Sequence, residues 1–256
     1  MRAHGITRRR FAALIGGAIA SSACSGSGGC YVALPAATSD GRLKARPVAG
    51  VKTTAQGTAA LGLGSARDAV LQMPSKAGSG PFPLLVLLHG AGGSGERFLR
   101  RLSAAGDAAG VALLAPDSRG TTWDAIRGDF DQDVMFLNRA LEKVFQMVAV
   151  DPTRLAVGGF SDGASYAVSL GLVNGDLFNR VVAFSPGFLV DSTPYGKPRF
   201  YVSHGTADPI LPINRCGRVV VRLLRTRGYD VTFHEFNGEH EIPNEIATEG
   251  MSWVSK

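Results

Sequence analysis

Short runs of consecutive apolar residues alternate along this chain with longer segments in which apolar residues recur every three or four positions. Pro83–Leu88 is the clearest run, because it stops abruptly at His89-Gly90, as expected of a strand buried on both faces. Runs of the same kind are Val111–Ala115, Leu155–Phe160, Val181–Phe184 and Phe200–Ser203. The helical patterns that separate them are Glu96–Ala109, Asp131–Met147, Gly163–Leu172 and Asn214–Arg227.

This alternation of strand and helix predicts an α/β fold, with a mostly parallel sheet that carries helices on both faces. In such folds, ligands bind in the loops at the carboxyl ends of the strands. We therefore expect the side chains that carry chemistry to follow the apolar runs directly.

The first 23 residues have the order of an export signal, which we predict for them. A basic stretch ends at Arg10, an apolar run of ten residues follows from Phe11 to Ala20, and small residues come next. The run Thr7-Arg8-Arg9-Arg10-Phe11 resembles the twin-arginine export signal. Ten apolar residues are too few to span a bilayer. The expected location of the chain is the periplasm or the outside of the cell.

The charge balance argues against a nucleic-acid partner. The whole chain carries a formal charge of +6, with 27 basic and 21 acidic residues. Four arginines lie within the predicted leader, so its removal leaves 23 basic residues and a net charge of +2. Without a basic stripe, such a surface has no electrostatic basis for binding phosphates.

The three cysteines leave two questions open. Cys24 follows small residues and is a candidate for the lipid-modified cysteine of a bacterial lipoprotein, which would be the one attachment to a membrane. Ordinary cleavage after Ala18-Ile19-Ala20 is the alternative. Export would place Cys30 and Cys216 in an oxidising compartment, where they either form a disulfide or stay unpaired.

Residues 24–64 have no sustained apolar periodicity and are rich in Gly, Ala, Ser and Thr. This composition predicts a flexible arm. The folded domain is expected to occupy residues 65–256, where the periodic patterns lie.

Gly159-Phe160-Ser161-Asp162-Gly163 matches the pattern G-x-S-x-G between a strand-like run and the small residues that begin a helix. A serine on so tight a turn is held in a strained backbone conformation, and the positions two before and two after it must be small. Glycine occupies both positions. The motif therefore predicts Ser161 as a nucleophile.

A serine hydroxyl reacts only when a neighbouring imidazole takes its proton. Of the five histidines, His4 lies in the leader, His89 and His204 end buried strands where structural hydrogen bonds are expected, and His234 lies in an alternating strand pattern. His240 lies in a loop after the last strand, which suits a mobile general base. We predict His240 as that base.

The base needs a carboxylate that holds the imidazole in the correct tautomer. Asp208 follows the run Phe200–Ser203 and is our choice. The resulting chain order of serine, aspartate and histidine is one that serine hydrolases use. Asp191 is the competing acid.

Attack on an ester carbonyl creates an oxyanion, which backbone N–H groups stabilise by roughly 3 to 4 kcal/mol each. We expect one donor from Asp162 and the other from Ala91, in the glycine-rich turn His89–Gly95. This turn lacks the Gly-Lys-Ser/Thr ending of a phosphate-binding P-loop. Trp123 and Asp124 are candidates for lining the substrate pocket, with loop packing as the alternative for Trp123.

Four motifs resemble, in this order, the phospholipase/carboxylesterase family of α/β-hydrolases. They are Leu87–Gly93, Ala156–Ser165, Ser203–Pro212 and Gly238–Pro243. They are also similar to dienelactone hydrolases and to polyhydroxybutyrate-depolymerase-like esterases. The resemblance implies an α/β-hydrolase fold with a central sheet of about seven or eight strands, a minimal cap, a Ser161–Asp208–His240 triad, and no metal or cofactor. Asp162 is a departure, because acyl-protein thioesterases of this group usually carry Gln there.

The activity expected on these grounds is hydrolysis of a small-molecule carboxylic ester through an acyl-enzyme. Ser185–Tyr195 is the one candidate for a cap, and its shortness favours an open site and small or exposed acyl groups. Two alternatives stay open: a serine peptidase on the same scaffold, and a non-catalytic surface binding module. Acyl chain length and oligomeric state are not encoded in any pattern that we recognise.

Overall fold

The computed structural model describes residues 40–64, 67–75, 78, 80–190 and 192–256. The strands of this part are β1 (Thr58–Ala60), β2 (Ala69–Gln72), β3 (Phe82–Leu88), β4 (Ala112–Pro116), β5 (Val150–Phe160), β6 (Arg180–Phe184), β7 (Arg199–Gly205) and β8 (Val231–Phe236). Its helices are α1 (Gly95–Ala109), α2 (Asp124–Arg127), α3 (Gln132–Met147), α4 (Asp162–Val173), α5 (Gly217–Thr226) and α6 (Asn244–Ser255).

The described strands form one eight-stranded sheet in the order β1-β2-β4-β3-β5-β6-β7-β8. Strands β3 to β8 pair in parallel, and β1 and β2 extend one edge in antiparallel fashion. Helices cover both faces, with α2 to α5 on one and α1 and α6 on the other. The α/β-hydrolase fold with a mostly parallel sheet, predicted from sequence, is confirmed.

Strand β3 shows why the central runs are apolar throughout. Leu84, Val86 and Leu88 pack into the core on one face of the sheet, while Leu85 and Leu87 pack into the core on the other. Because successive side chains of a strand point to opposite faces, a strand covered on both sides needs an apolar residue at every position.

The parallel arrangement brings four chain segments to one edge of the sheet. The turn His89–Gly95 follows β3, Ser161 follows β5, Asp208 follows β7 and His240 follows β8. The carboxyl ends of parallel strands lie at the same edge, so residues far apart along the chain become neighbours there.

Residues 40–64 differ from the flexible arm that their composition predicts. Leu43 is 2% exposed and belongs to the main core. Its backbone N–H donates to the Asn174 side chain at 2.8 Å, and the same side chain donates to the Gly41 carbonyl at 2.9 Å. The Arg42 guanidinium contacts Asp176 at 2.6 Å. The folded domain therefore begins before Ser65, and the prediction of a flexible arm is wrong for this stretch.

The prediction failed here because side chains elsewhere in the chain hold this stretch by its backbone. The Asn138 side chain, like that of Asn174, accepts hydrogen bonds from the stretch, namely from the N–H groups of Lys44 and Ala45. Hydrogen bonds of this kind leave no apolar periodicity in the segment that receives them. Strand β1, which pairs with β2 at the sheet edge, is itself exposed and short.

Leu43→Ala is expected to lower the free energy of unfolding by about 2 to 4 kcal/mol, because it leaves a cavity in the core. The matched control is Val48→Ala in the same stretch, where the side chain is 54% exposed, and we expect a change within about 0.5 kcal/mol. Urea unfolding of both variants checks this. Equal effects of the two substitutions would show that the stretch does not pack as described.

The leader, Cys24 and Cys30 lie outside the described residues, so export, lipid attachment and disulfide pairing stay predictions. Cys216 is buried immediately before α5. In the described part of the chain, none of the helices has both the length and the hydrophobicity needed to cross a membrane.

Candidate active site

Ser161 lies on the sharp turn between β5 and α4. Its backbone has φ 57° and ψ −119°, a conformation that residues other than glycine adopt rarely. The Ser161 N–H donates to the Phe184 carbonyl of β6 at 3.0 Å, which holds the turn against the sheet. A Cβ on Gly163 would collide with the carbonyl oxygens of Leu88 and His89. The turn is thus wedged against the end of β3, and the small residues of the motif make this approach possible.

Asp208 and His240 form a short hydrogen bond. Asp208 Oδ2 lies 2.6 Å from His240 Nδ1. Because the carboxylate can only accept, Nδ1 carries the proton and Nε2 is left able to accept one. The Asp208 side chain is fully buried, whereas that of His240 is 15% exposed.

The Asp208 carboxyl is held in its charged form. Burial by itself raises its pKa, but hydrogen bonds from His204, His240 and the Leu211 N–H outweigh burial and hold the pKa well below its usual range. Asp208 Oδ1 accepts the N–H groups of Ile210 and Leu211 at 2.9 and 2.7 Å. The carboxylate therefore stays anionic at neutral pH.

The imidazole of His240 lies beside the serine turn. Its ring centroid is 4.7 Å from that of Phe160, the residue before Ser161. It also lies close enough to the Asp162 carboxyl to lower that group's pKa, against the larger effect of burial, which raises it. Among the described residues, no hydrogen bond joins the Ser161 hydroxyl to His240. Such bonds are often long without substrate and shorten when it binds.

The turn after β3 lies against the serine. A Cβ on Gly90 would lie 3.4 Å from the Ser161 Cβ. In the described part of the chain, neither the Ala91 nor the Asp162 backbone N–H donates to a backbone carbonyl. Both amides expected to stabilise the oxyanion are therefore still available to a ligand.

The loop after β4 supports both of those amides. The Thr122 hydroxyl donates to the Asp162 carboxylate at 2.7 Å, within a buried contact. The Thr121 carbonyl accepts the Gly92 N–H at 2.7 Å. Thr122 was not singled out by any sequence motif, because its role depends on a contact that spans 40 residues.

Trp123 packs inside the protein, which is the alternative that the sequence left open for it, and a pocket role for the partly exposed Asp124 stays a prediction. Trp123 is fully buried, stacks on Tyr166 with ring centroids 5.2 Å apart, and donates from Nε1 to the His89 carbonyl at 2.8 Å. The Asp124 carboxylate accepts the Tyr166 hydroxyl at 2.9 Å. Its other oxygen accepts the N–H groups of Asp131 and Asp133. Trp123 therefore supports the turn after β3, whereas Asp124 holds Tyr166 and the start of α3.

The remaining described histidines lie where their sequence context predicts structural roles. His89 accepts the Ser118 N–H at 3.0 Å through Nε2, and its Nδ1 lies 2.8 Å from the Gly90 carbonyl. Burial lowers the pKa of His89, which favours the neutral ring. His234, on β8, contacts Glu249 at 2.7 Å.

His204 is the exception, because it reaches the candidate triad. Its Nε2 lies 3.2 Å from Asp208 Oδ2. Its place at the end of a strand predicts a structural hydrogen bond, and only the fold shows that the acid is one of the partners. The competing acid Asp191 lies outside the described residues. In the described part of the chain, no group of three or more His, Cys, Asp or Glu side chains is placed to hold a metal ion.

The fold and this arrangement define the class of protein. Residues 85–245 match the alpha/beta hydrolase family, and the chain belongs to that family.

Individual relatives fit the same class. The chain is 32% identical over 184 residues to "Putative esterase NocK" from Nocardia uniformis subsp. tsuyamanensis, an alignment that covers 66% of this chain and 52% of that protein. The chain spans about half the length of the curated relatives it matches.

Solved structures share the fold at lower identity. The Staphylococcus aureus fluorophosphonate-binding serine hydrolase FphF superimposes with a TM-score of 0.63 at 15% identity, covering 81% of this chain and 100% of that one. The Bacillus cereus carboxylesterase superimposes with a TM-score of 0.57 at 22% identity, covering 74% of this chain and 94% of that one.

Proposed function

We propose that this chain hydrolyses carboxylic esters through an acyl-enzyme on Ser161, with small or exposed acyl groups as substrates. One observation carries the proposal: the buried, anionic Asp208 binds His240 at 2.6 Å, and that imidazole lies beside the strained turn of Ser161. Relatives and fold neighbours named esterases and carboxylesterases support the same reaction class.

The proposed reaction runs in two halves. His240 Nε2 takes the proton of the Ser161 hydroxyl as its oxygen attacks the ester carbonyl, and the Ala91 and Asp162 amides stabilise the resulting oxyanion. The carbon–oxygen bond to the alcohol then breaks, and His240 gives the leaving alcohol its proton. Water repeats the sequence on the acyl-enzyme and releases the carboxylic acid.

The preference for small or exposed acyl groups rests on the segment after β6. The Gly187 N–H donates to the Ser165 hydroxyl at 2.9 Å, and the Val190 N–H donates to the Ser169 hydroxyl at 2.9 Å. Ser165 and Ser169 lie one turn apart on α4, so this segment is bound to the flank of the serine helix. Within the described residues, this segment is too short to form a large cap that would enclose a long acyl chain.

A series of p-nitrophenyl esters from acetate to palmitate tests the proposal. We expect kcat/KM to be highest for the shortest esters and to fall as the acyl chain grows. A fluorophosphonate should form an adduct that peptide mass mapping assigns to Ser161. The absence of any adduct would favour a binding module, and cleavage of peptide amides in preference to esters would favour a peptidase.

A further inference from the structure

His204 is a second histidine on the carboxylate that orients the first. It is the last but one residue of β7, is fully buried, and has two acceptors near its Nε2. The Leu211 carbonyl oxygen lies 2.7 Å from this nitrogen, and Asp208 Oδ2 lies 3.2 Å from it. The contact with the backbone carbonyl is the shorter of the two.

The surroundings of the other ring nitrogen determine the tautomer. His204 Nδ1 is buried and has no hydrogen-bond partner in the described part of the chain. A Cβ on Gly217 would lie 2.5 Å from Nδ1, so α5 closes that side of the ring. A proton on Nδ1 would be buried without an acceptor, which is costly. His204 is therefore expected to carry a proton on Nε2.

Two imidazole nitrogens thus approach the same oxygen of Asp208. His240 Nδ1 lies at 2.6 Å and His204 Nε2 at 3.2 Å from Oδ2, while backbone N–H groups occupy Oδ1. This second donor fixes the plane of the carboxylate. It also draws part of the negative charge of Oδ2 away from His240.

We propose that His204 is a positioning residue, which acts through Asp208 to aim His240 at Ser161 and to moderate how strongly the carboxylate favours protonated His240. The inference rests on the proposed function. Without the His204 donor, more of the Asp208 charge would act on His240. The protonated, inactive form of the base would then persist to higher pH.

Other charged groups near the two rings also influence the protonation of His240. Asp162 faces His240 from α4, and the exposed Glu239 and Glu241 flank it in its own loop. Glu235, on β8, interacts with His204 and is paired with Arg218 of α5 at 2.5 Å. All of these groups are unchanged in the variants below, so a shift between variants reports on His204.

Two substitutions of similar shape distinguish the effect of losing the N–H donor of His204 from the effect of altering its packing. Gln and Met are both unbranched and of similar length, but His204→Gln keeps an N–H near the position of Nε2, whereas His204→Met places an apolar methyl group there. On the acid side of the pH profile (the acid limb), kcat/KM falls as the base becomes protonated. We expect His204→Met to shift this fall to higher pH by about half a pH unit or more. We also expect kcat to fall about tenfold, as for loss of one hydrogen bond to a charged group. His204→Gln should keep the wild-type limb and lie within about threefold of wild-type kcat.

Thermal melting and fluorophosphonate labelling should accompany both pH profiles. A folded, labelled His204→Met whose acid limb coincides with that of wild type would overturn the proposal, since loss of packing alone lowers the melting temperature without moving the limb. Failure of the proposed function can be distinguished from failure of the proposed role of His204. Activity that survives Ser161→Ala overturns the proposed function, whereas an inactive Ser161→Ala beside an unshifted His204→Met overturns only the role of His204.

A further measurement uses the wild-type protein and therefore does not depend on whether a variant folds. With histidine labelled by nitrogen-15, the neutral ring of His204 is expected to carry its proton on Nε2, because Nδ1 is buried without an acceptor in the described part of the chain. A neutral ring with its proton on Nδ1 would overturn the inference.

Discussion

Replacing Ser161 with alanine is expected to lower kcat by about 10⁴- to 10⁶-fold, the loss seen when the nucleophile of a serine hydrolase is removed. The hydroxyl oxygen is the atom that bonds to the acyl group in the proposed mechanism. The strained φ of 57° at this position is consistent with a functional turn. The measurement is the steady-state rate on a short p-nitrophenyl ester, together with fluorophosphonate labelling.

The matched control is Ser252→Ala, which removes a half-buried hydroxyl from α6, away from the edge of the sheet that holds Ser161. We expect its rate and its labelling to match wild type. Retention of more than about a tenth of the activity by Ser161→Ala would reject Ser161 as the nucleophile, given the scale of the expected loss.

Asp208→Asn is expected to lower kcat by about 10⁴-fold, as in the equivalent substitution of other serine hydrolases. An amide has a single oxygen, so its NH2 group must face either the imidazoles at one position or the N–H groups of Ile210 and Leu211 at the other, where donor meets donor. His240 then loses the partner that keeps the proton on Nδ1 and stabilises its charged form. KM on a short ester should change little, because Asp208 is buried and does not reach the substrate. Stopped-time assays at saturating ester give kcat directly.

The control is Asp230→Asn, whose carboxylate is 72% exposed and lies 3.6 Å from Arg199. An exposed pair of this kind contributes little, so we expect wild-type kcat and stability. Equal losses in the two variants would show that the effect of Asp208→Asn is not specific to the site.

Asp208 should also affect how the free energy of unfolding depends on pH. Its pKa is lowered on folding, so its contribution to stability is fully present above the ordinary titration range of aspartate and is lost as the pH falls below it. The difference in unfolding free energy between wild type and Asp208→Asn should therefore shrink as the solution is acidified. A difference that grows on acidification would contradict the assigned direction of the shift.

The central sheet and the candidate site were predictable from sequence because they depend on local patterns. The apolar run that became β3 is buried on both faces, which requires an apolar residue at every position. The glycines around Ser161 are required by the close approach of the turn to β3. The order of strands then places Asp208 and His240 at the same edge, so the pairing of acid and base follows from chain order once the fold is known.

Contacts between segments that carry no pattern of their own could not be predicted and are visible only in the folded chain. Leu43 enters the core because Asn174, 131 residues away, binds its backbone. Trp123 is a buried support and not a pocket wall because the turn after β3 happens to lie above it. His204 reaches Asp208 because β7 ends in a loop that folds back on its last residues. Local periodicity records whether a residue is buried, whereas the identity of its partner depends on how distant segments pack. The sequence by itself therefore determined the sheet and the order of the reactive residues, and the folded chain determined which neighbours support them.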